Sequence, residues 1–330
     1  MTNVFMFPGQ SSKYPGMLDG VVEFWAPAKQ LVAQASEALG RDLVKLYHAD
    51  NPAAFECNRD IQVGVFLVNH LHLSALEANG VKADYSLGLS LGEYNHLVHI
   101  GALDFASALK LVDARGRVYD EGPRGMMAAL FPVDLEMVED LIVRVKSFGV
   151  VEIANINSPS QFVVAGDTAA VEEVMRLADD ELAVAPTPIE RQIPMHTSVF
   201  QPAAEALLPH LKAAPWCKPA RAYLSNVTGG FVGNPTAADF CDLLARHVYS
   251  PVHWREAIDA AVERFPQAVF VEVGPRGVLY NLLHKRWHAN RKYKTDAATD
   301  FPLNFQHVVD ALLSRPKPAV ECASVGGARV

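Results

Sequence analysis

Apolar and polar positions along the chain follow two periods, and the switches between them mark its layers. Residues 3–7, "NVFMF", are a short apolar run closed by the glycine- and proline-punctuated stretch "PGQSSKYPGM", which predicts a buried strand and then a loop. Helical spacing covers about 25–48 and again 61–79, "IQVGVFLVNHLHLSALEAN", ending at Gly80. "DYSLGL" predicts a strand, and "LGEYNHLVHIGAL" and "FASALKLVDARGRVYDE" predict helices after it. Strand, glycine turn and helix recur, the pattern of an α/β layer fold on a mostly parallel sheet.

The texture changes after residue 124. "GMMAALFPV" (125–133) predicts a strand and "DLEMVEDLIVRVKSFG" (134–149) an amphipathic helix. "VVEIANIN" and "SQFVVAG" predict two strands joined by the turn Ser158-Pro159-Ser160. "TAAVEEVMRLADDEL" predicts a helix and "AVAPTPIERQI" a last extended piece. That order is βαββαβ, the ferredoxin-like motif. It predicts a small ferredoxin-like domain, 125–194, inserted into a large α/β domain formed by 1–124 and 195–314. After Met195 the α/β texture returns, with strand, glycine turn and helix over 270–283, "FVEVGPRGVLYNLL". The tail 315–330 lacks periodicity and is expected to be mobile.

Composition narrows the classes. Half of the 330 residues are hydrophobic, enough for a large core, and 20% are charged, unlike a disordered chain. The formal charge of −8, from 37 acids against 29 bases, disfavours nucleic acid as a partner. Cys57, Cys217, Cys241 and Cys322 form no C-x-x-C pair, so no metal or redox site is expected. With no signal-peptide pattern and no long apolar run, the expectation is a cytoplasmic, monomeric protein away from membranes.

The candidate chemistry begins at Gly88-Leu89-Ser90-Leu91-Gly92, a serine framed by glycines between a predicted strand and a predicted helix. That frame exposes a nucleophile on a strained turn, as in an α/β-hydrolase-like fold, and the N–H of the next residue, Leu91, commonly serves an oxyanion hole. The alternative is an ordinary turn with Ser90 capping the helix. A nucleophilic serine needs a base, and spacing selects none of the twelve histidines. His196 lies where the textures meet, suited to a cleft or to a plain helix start. Arg117 has Asp113, Asp120 and Glu121 at helical spacing, whereas Arg115 has no local acid. If buried, Arg115 needs an anion, either a distant acid or a ligand carboxylate.

These residues, with their order, carry a resemblance. "FPGQ" (7–10), "GLSLGEY" (88–94), "LVDARGRVYDE" (111–121), "ANINSPSQFVVAG" (154–166), "PMHTSVFQPAAEAL" (194–207), "RHVYSPVHW" (246–254) and "VEVGP" (271–275) occur in sequence. From about 3 to about 283 the chain resembles malonyl-CoA:acyl-carrier-protein transacylases and polyketide synthase acyltransferases of the stand-alone, trans-acting type. The resemblance implies Ser90 as nucleophile, His196 as base, and the Gln10 and Leu91 N–H groups as oxyanion hole. It implies that the backbone carbonyl of His247, in place of a carboxylate, orients the base, and that Arg115 pairs with the malonyl carboxylate. Gln62 and Asn157 match polar pocket positions. No resident cofactor or metal is implied; malonyl-CoA is the donor and the phosphopantetheine of a holo acyl carrier protein the acceptor.

Three departures stand out. Leu89 replaces the usual histidine of G-H-S-x-G, Gly9-Gln10-Ser11-Ser12-Lys13 replaces the usual GQGSQ, and Met195 precedes the base. They suggest a transferase of polyketide or related specialised biosynthesis that takes malonyl or a substituted malonyl. An acyl-carrier-protein hydrolase and an acyl shuttle between carriers are the alternatives, and Arg115 argues against plain acyl chains. The basic segment 284–294, "HKRWHANRKYK", is read either as a surface for an acidic carrier or a CoA phosphate, or as a solvated helix end.

Overall fold

The computed structural model describes residues 2–287, 291–298 and 301–314. The chain opens with β1 (Asn3–Phe7), α1 (Met17–Phe24), α2 (Ala28–Leu39), α3 (Leu43–Leu46) and α4 (Asn58–Ala78). β2 (Tyr85–Gly88), α5 (Gly92–His99) and α6 (Phe105–Glu121) follow. Then come β3 (Met126–Leu130), α7 (Leu135–Arg144), β4 (Val151–Ser158), β5 (Gln161–Gly166), α8 (Thr168–Leu182) and β6 (Thr187–Glu190). The last part holds α9 (Gln201–Ala213), β7 (Tyr223–Ser225), β8 (Gly230–Val232), α10 (Ala237–Tyr249) and α11 (Trp254–Arg264). It closes with β9 (Val269–Glu272), α12 (Val278–Leu282), β10 (Lys292–Lys294) and α13 (Phe301–Leu313).

The larger sheet runs β10-β9-β1-β2, and each neighbouring pair is parallel. Both faces of β1 are buried, as parallel strands covered by helices require. Val4 and Met6 join one core with Leu87, Phe270 and Trp254, while Phe5 and Phe7 join the other with residues of α4 to α6. The C-terminal ends of β1 and β2 lie side by side, Phe7 opposite Gly88, so the loops after both strands open at one edge. Open parallel sheets bind ligands at that edge.

The smaller sheet, β4-β5-β3-β6, is antiparallel throughout and has the strand order of a ferredoxin-like subdomain. Alternation along β3 divides its side chains. Met126, Ala128 and Leu130 pack with α7 and α8 in a separate core, whereas Met127 joins the main core beside Met195. The face carrying Met127 is thereby turned toward the larger sheet.

Several elements differ from the sequence reading. A helix, α1, fills the interval between the expected loop, which ends at Met17, and the helical spacing that starts near residue 25. The span 25–48 breaks at Gly40, which ends α2 in the left-handed conformation at φ 61°, and Asp42 then caps α3. The basic segment divides: Lys285–Trp287 form a short 3-10 helix after α12, whereas Lys292–Lys294 is an edge strand on β9, and Lys292 donates to the Tyr280 carbonyl at 3.0 Å. Residues 288–290 of that segment, and the tail 315–330, lie outside the described residues. Among the described residues no helix is long and apolar enough to cross a membrane.

Candidate active site

The turn after β2 is built by sterics. A Cβ on Gly88 would stand 2.0 Å from the Gly92 carbonyl carbon, and one on Gly92 2.0 Å from the Phe7 carbonyl oxygen. Only glycine at both places lets α5 start directly over the strand ends. Ser90, between them, has φ 51°, a left-handed conformation that costs a non-glycine residue about 1–2 kcal/mol. Its N–H donates to Asn226 Oδ1 at 2.9 Å, and Asn226 Nδ2 donates to the Gly88 carbonyl at 2.7 Å. No side chain caps α5, so Ser90 is not serving as a helix cap.

The Ser90 hydroxyl is 2.8 Å from His196 Nε2. The other ring nitrogen, Nδ1, lies 2.6 Å from the His247 backbone carbonyl. A carbonyl only accepts, so Nδ1 carries the proton and Nε2 offers its lone pair to Ser90. His196 is also left-handed, at φ 64°, and its own N–H donates to the Val248 carbonyl at 3.0 Å. Burial holds its pKa well below the usual histidine value, and the charges of His247 and Arg115 push the same way. The ring is therefore neutral near pH 7, the form a general base needs.

Beside this pair, a cleft is lined by Gly9, Gln10, Leu89, Met127, Asn155 and Met195, among others. It lies between the two sheets, with Met127 on β3 and Asn155 on β4. Among the described residues, the backbone N–H groups of Gln10 and Leu91 donate to no protein acceptor. Two unpaired buried N–H groups flanking a serine fit an anionic oxygen that forms there.

Arg115 is 1% exposed and lies on α6. Gly116 lets α6 approach α4 closely, since a Cβ there would be 2.4 Å from Arg59 Cα. Across that contact, one guanidinium nitrogen donates to Gln62 Oε1 at 2.6 Å. The group sits 4.2 Å over the Tyr119 ring, and its second terminal nitrogen has no partner. The nearby Asp113 is occupied by Arg41, Arg59 and Arg117. Arg117 thus has its local acid, and among the described residues Arg115 has none. Gln62 also reaches Gln10, at 3.4 Å, connecting the arginine to the loop after β1.

The structure brings Ser90, His196, His247, Gln10, Leu91, Leu89 and Met195 together, with Arg115 and Gln62 behind Gln10. Asn157 is not in the cleft lining; it donates to Gln161 at 3.2 Å, and Asn155, two residues earlier on β4, faces the cleft instead. The register bulges between Ile153 and Asn155, which spacing alone does not reveal. Asn226 and Glu93 were missed. Glu93 is fully buried and lies 2.8 Å from His247 Nδ1. An acid with no cation at i±3 or i±4 other than His96 was the available signal; for Asn226, in a short turn, there was none.

Residues 4–302 match the model of the acyl transferase domain. The malonyl CoA-acyl carrier protein transacylase of Bacillus subtilis (strain 168) is 32% identical over 300 residues, covering 90% of this chain and 93% of that protein. A crystal structure of the malonyl CoA-acyl carrier protein transacylase from Clostridium perfringens superposes with a TM-score of 0.86 at 29% identity, over 95% and 98% of the two chains. A malonyl-transacylase in complex with its type II polyketide acyl-carrier protein superposes with a TM-score of 0.84 at 26% identity, over 96% and 100%.

Proposed function

The chain belongs to the acyl transferase domain family, and from that premise we propose that it moves a malonyl group from coenzyme A to the phosphopantetheine thiol of an acyl carrier protein through an ester on Ser90. His196 Nε2 takes the Ser90 proton as Oγ attacks the thioester carbon. The Gln10 and Leu91 N–H groups receive the oxyanion. As the C–S bond breaks, His196 returns the proton to the departing CoA sulfur. The carrier's thiol then gives its proton to His196 and its sulfur attacks the ester carbon; as the C–Oγ bond breaks, His196 returns the proton to Ser90 Oγ and the malonyl group leaves as the carrier thioester. No resident cofactor takes part.

The observation that carries the malonyl reading is Arg115, a buried cation with a free terminal nitrogen and no acidic partner among the described residues. A buried cation is costly unless an anion meets it, and the free carboxylate of malonyl supplies one in bidentate geometry. A plain acyl chain does not. The polyketide or related setting is part of the proposal; Leu89 on the cleft wall, a departure from the G-H-S-x-G pattern of the resembled family, supports it. So is a cytoplasmic location, for which Cys57, Cys217 and Cys241 as free thiols speak.

The test is incubation with labelled malonyl-CoA and acetyl-CoA, with and without holo carrier protein. A malonyl adduct on Ser90 that discharges rapidly only to the carrier is expected. Rapid release of free malonate without carrier would overturn the transferase reading in favour of hydrolysis.

A further inference from the structure

We propose that Glu93 is a positioning residue that ties the nucleophile to the base, one buried carboxylate holding Ser90 through Asn226 and His196 through His247. The proposal rests on the transferase reading above, in which Ser90 and His196 react as a pair. Glu93 sits in the first turn of α5, three residues after Ser90, and is fully buried. A buried carboxylate is costly unless its oxygens are met; here Oε1 is met by two donors, while Oε2 makes no hydrogen bond among the described residues and stands only in close approach to the His247 ring.

Oε1 accepts the Tyr223 hydroxyl at 2.6 Å and the Asn226 backbone N–H at 3.2 Å. Asn226 in turn accepts the Ser90 N–H and donates to the Gly88 carbonyl. Only one orientation of that amide satisfies both bonds, so the Asn226 side chain clamps the strained turn from both sides of Leu89. Oε2 lies 2.8 Å from His247 Nδ1. The His247 ring stacks on His196 with centroids 4.9 Å apart and planes at 21°, and the His247 carbonyl accepts from His196 Nδ1. Each arm passes through one residue and ends on one reacting group. The titratable groups facing the carboxylate are Tyr223 from β7, His247 from α10 and Tyr94 on α5 itself, with Arg115 beyond Tyr94.

The arrangement gives the two left-handed residues, Ser90 and His196, a common anchor. Their 2.8 Å separation then depends on one side chain that touches neither of them. A misplacement of about 1 Å in such a pair costs about 10²-fold in rate. Glutamine at 93 keeps the shape. With its amide nitrogen in the Oε1 place, though, it sets an N–H donor against the Tyr223 and Asn226 donors, and with its carbonyl there it sets the amide nitrogen against the His247 ring.

The experiment is single-turnover acylation of Ser90 by malonyl-CoA, followed by intact-protein mass, on wild type, Glu93→Gln and Asn226→Ala. Glu93→Gln is expected to acylate about 10²-fold more slowly with KM for malonyl-CoA unchanged, because the loss falls on the reacting pair and not on binding. Its pH–rate profile is also expected to shift, since the substitution removes a buried acid one residue away from the base. A folded Glu93→Gln protein with the wild-type rate and profile, or a loss carried by KM alone, would overturn the proposal. If that variant fails to fold, Asn226→Ala decides: a kcat-only loss is expected, and a wild-type kcat overturns the proposal. Labelling of Ser90 by a fluorophosphonate separates the two readings. If wild type forms no malonyl ester, the transferase assignment fails, while slower fluorophosphonate labelling of Glu93→Gln still supports the coupling and equal labelling overturns it.

Discussion

Replacing Arg115 by alanine tests the acyl specificity of the site. In the free protein the guanidinium Nη1 donates to Gln62 at 2.6 Å, and the group lies against Tyr119 and Tyr94, with no acid beside it among the described residues. With malonyl bound, its second terminal nitrogen gains the carboxylate. Removing one partner of a buried ion pair costs about 3–5 kcal/mol because the other charge is left uncompensated. At the lower end, about 3 kcal/mol is about 10²-fold in kcat/KM. Acetyl carries no carboxylate, so its loading loses nothing and gains from removal of an unpaired buried cation. Malonyl preference should therefore fall by at least about 10²-fold, most of it on the malonyl side. Lysine at 115 should recover only part, since an ammonium cannot bind both carboxylate oxygens in the planar fork. The assay is competition of labelled malonyl-CoA against acetyl-CoA, read as acyl-enzyme by mass. Malonyl loading by Arg115→Ala close to the wild-type rate would refute the clamp.

Three more outcomes follow from the same geometry. The acid limb of kcat/KM should lie well below pH 6.5, because burial and neighbouring charge lower the His196 pKa; a limb at or above the ordinary histidine value refutes the assignment of the base. Thermal stability should fall steeply as pH drops from about 6.5 to about 4. Burial lowers His70, His72 and His99 from 6.5 to about 4 and His96 to about 3, so in this window the unfolded chain binds more protons than the folded one and acid favours unfolding; a melting temperature flat across it contradicts their burial as neutral rings. Gly92→Ala should yield little folded protein, at a cost above about 4 kcal/mol, because its Cβ would meet the Phe7 carbonyl backbone and not a side chain able to move; soluble, active Gly92→Ala overturns the steric account of the turn.

Much of this architecture was legible because the elements are long or strongly patterned. The βαββαβ run, the strand before Ser90 and the helices at 105–121 and 168–182 announce themselves by period and by glycine. Misreadings fall where local signals are weak or a local break overrides the period. Gly40 divides a continuous helical pattern, and β7 and β8, at three residues each, are too short to show alternation. Lys292–Lys294 reads as polar surface, yet it pairs with β9 because its backbone, not its side chains, supplies the contact.

The site divides along the same physical line. Ser90 and Arg115 carry their signal within a few residues: a glycine frame in one case, a missing local acid in the other. Asn226 and Glu93 act across the fold, Asn226 on a residue 136 positions away and Glu93 on one 133 away. Glu93 in the first turn of a helix looks like an ordinary favourable charge against the helix dipole. Only burial shows that the dipole is not enough. The carboxylate must find donors, and it finds Tyr223 and Asn226 at one oxygen, with the His247 ring 2.8 Å from the other; Asn226 and His247 are the groups that hold Ser90 and His196. Glu93, like Arg115, is a buried charge without an acid–base partner of fixed charge at helical spacing. For Arg115 no acidic partner stands among the described residues, which is what the proposed ligand carboxylate would answer; for Glu93 the neighbours are present and lead to Ser90 and His196.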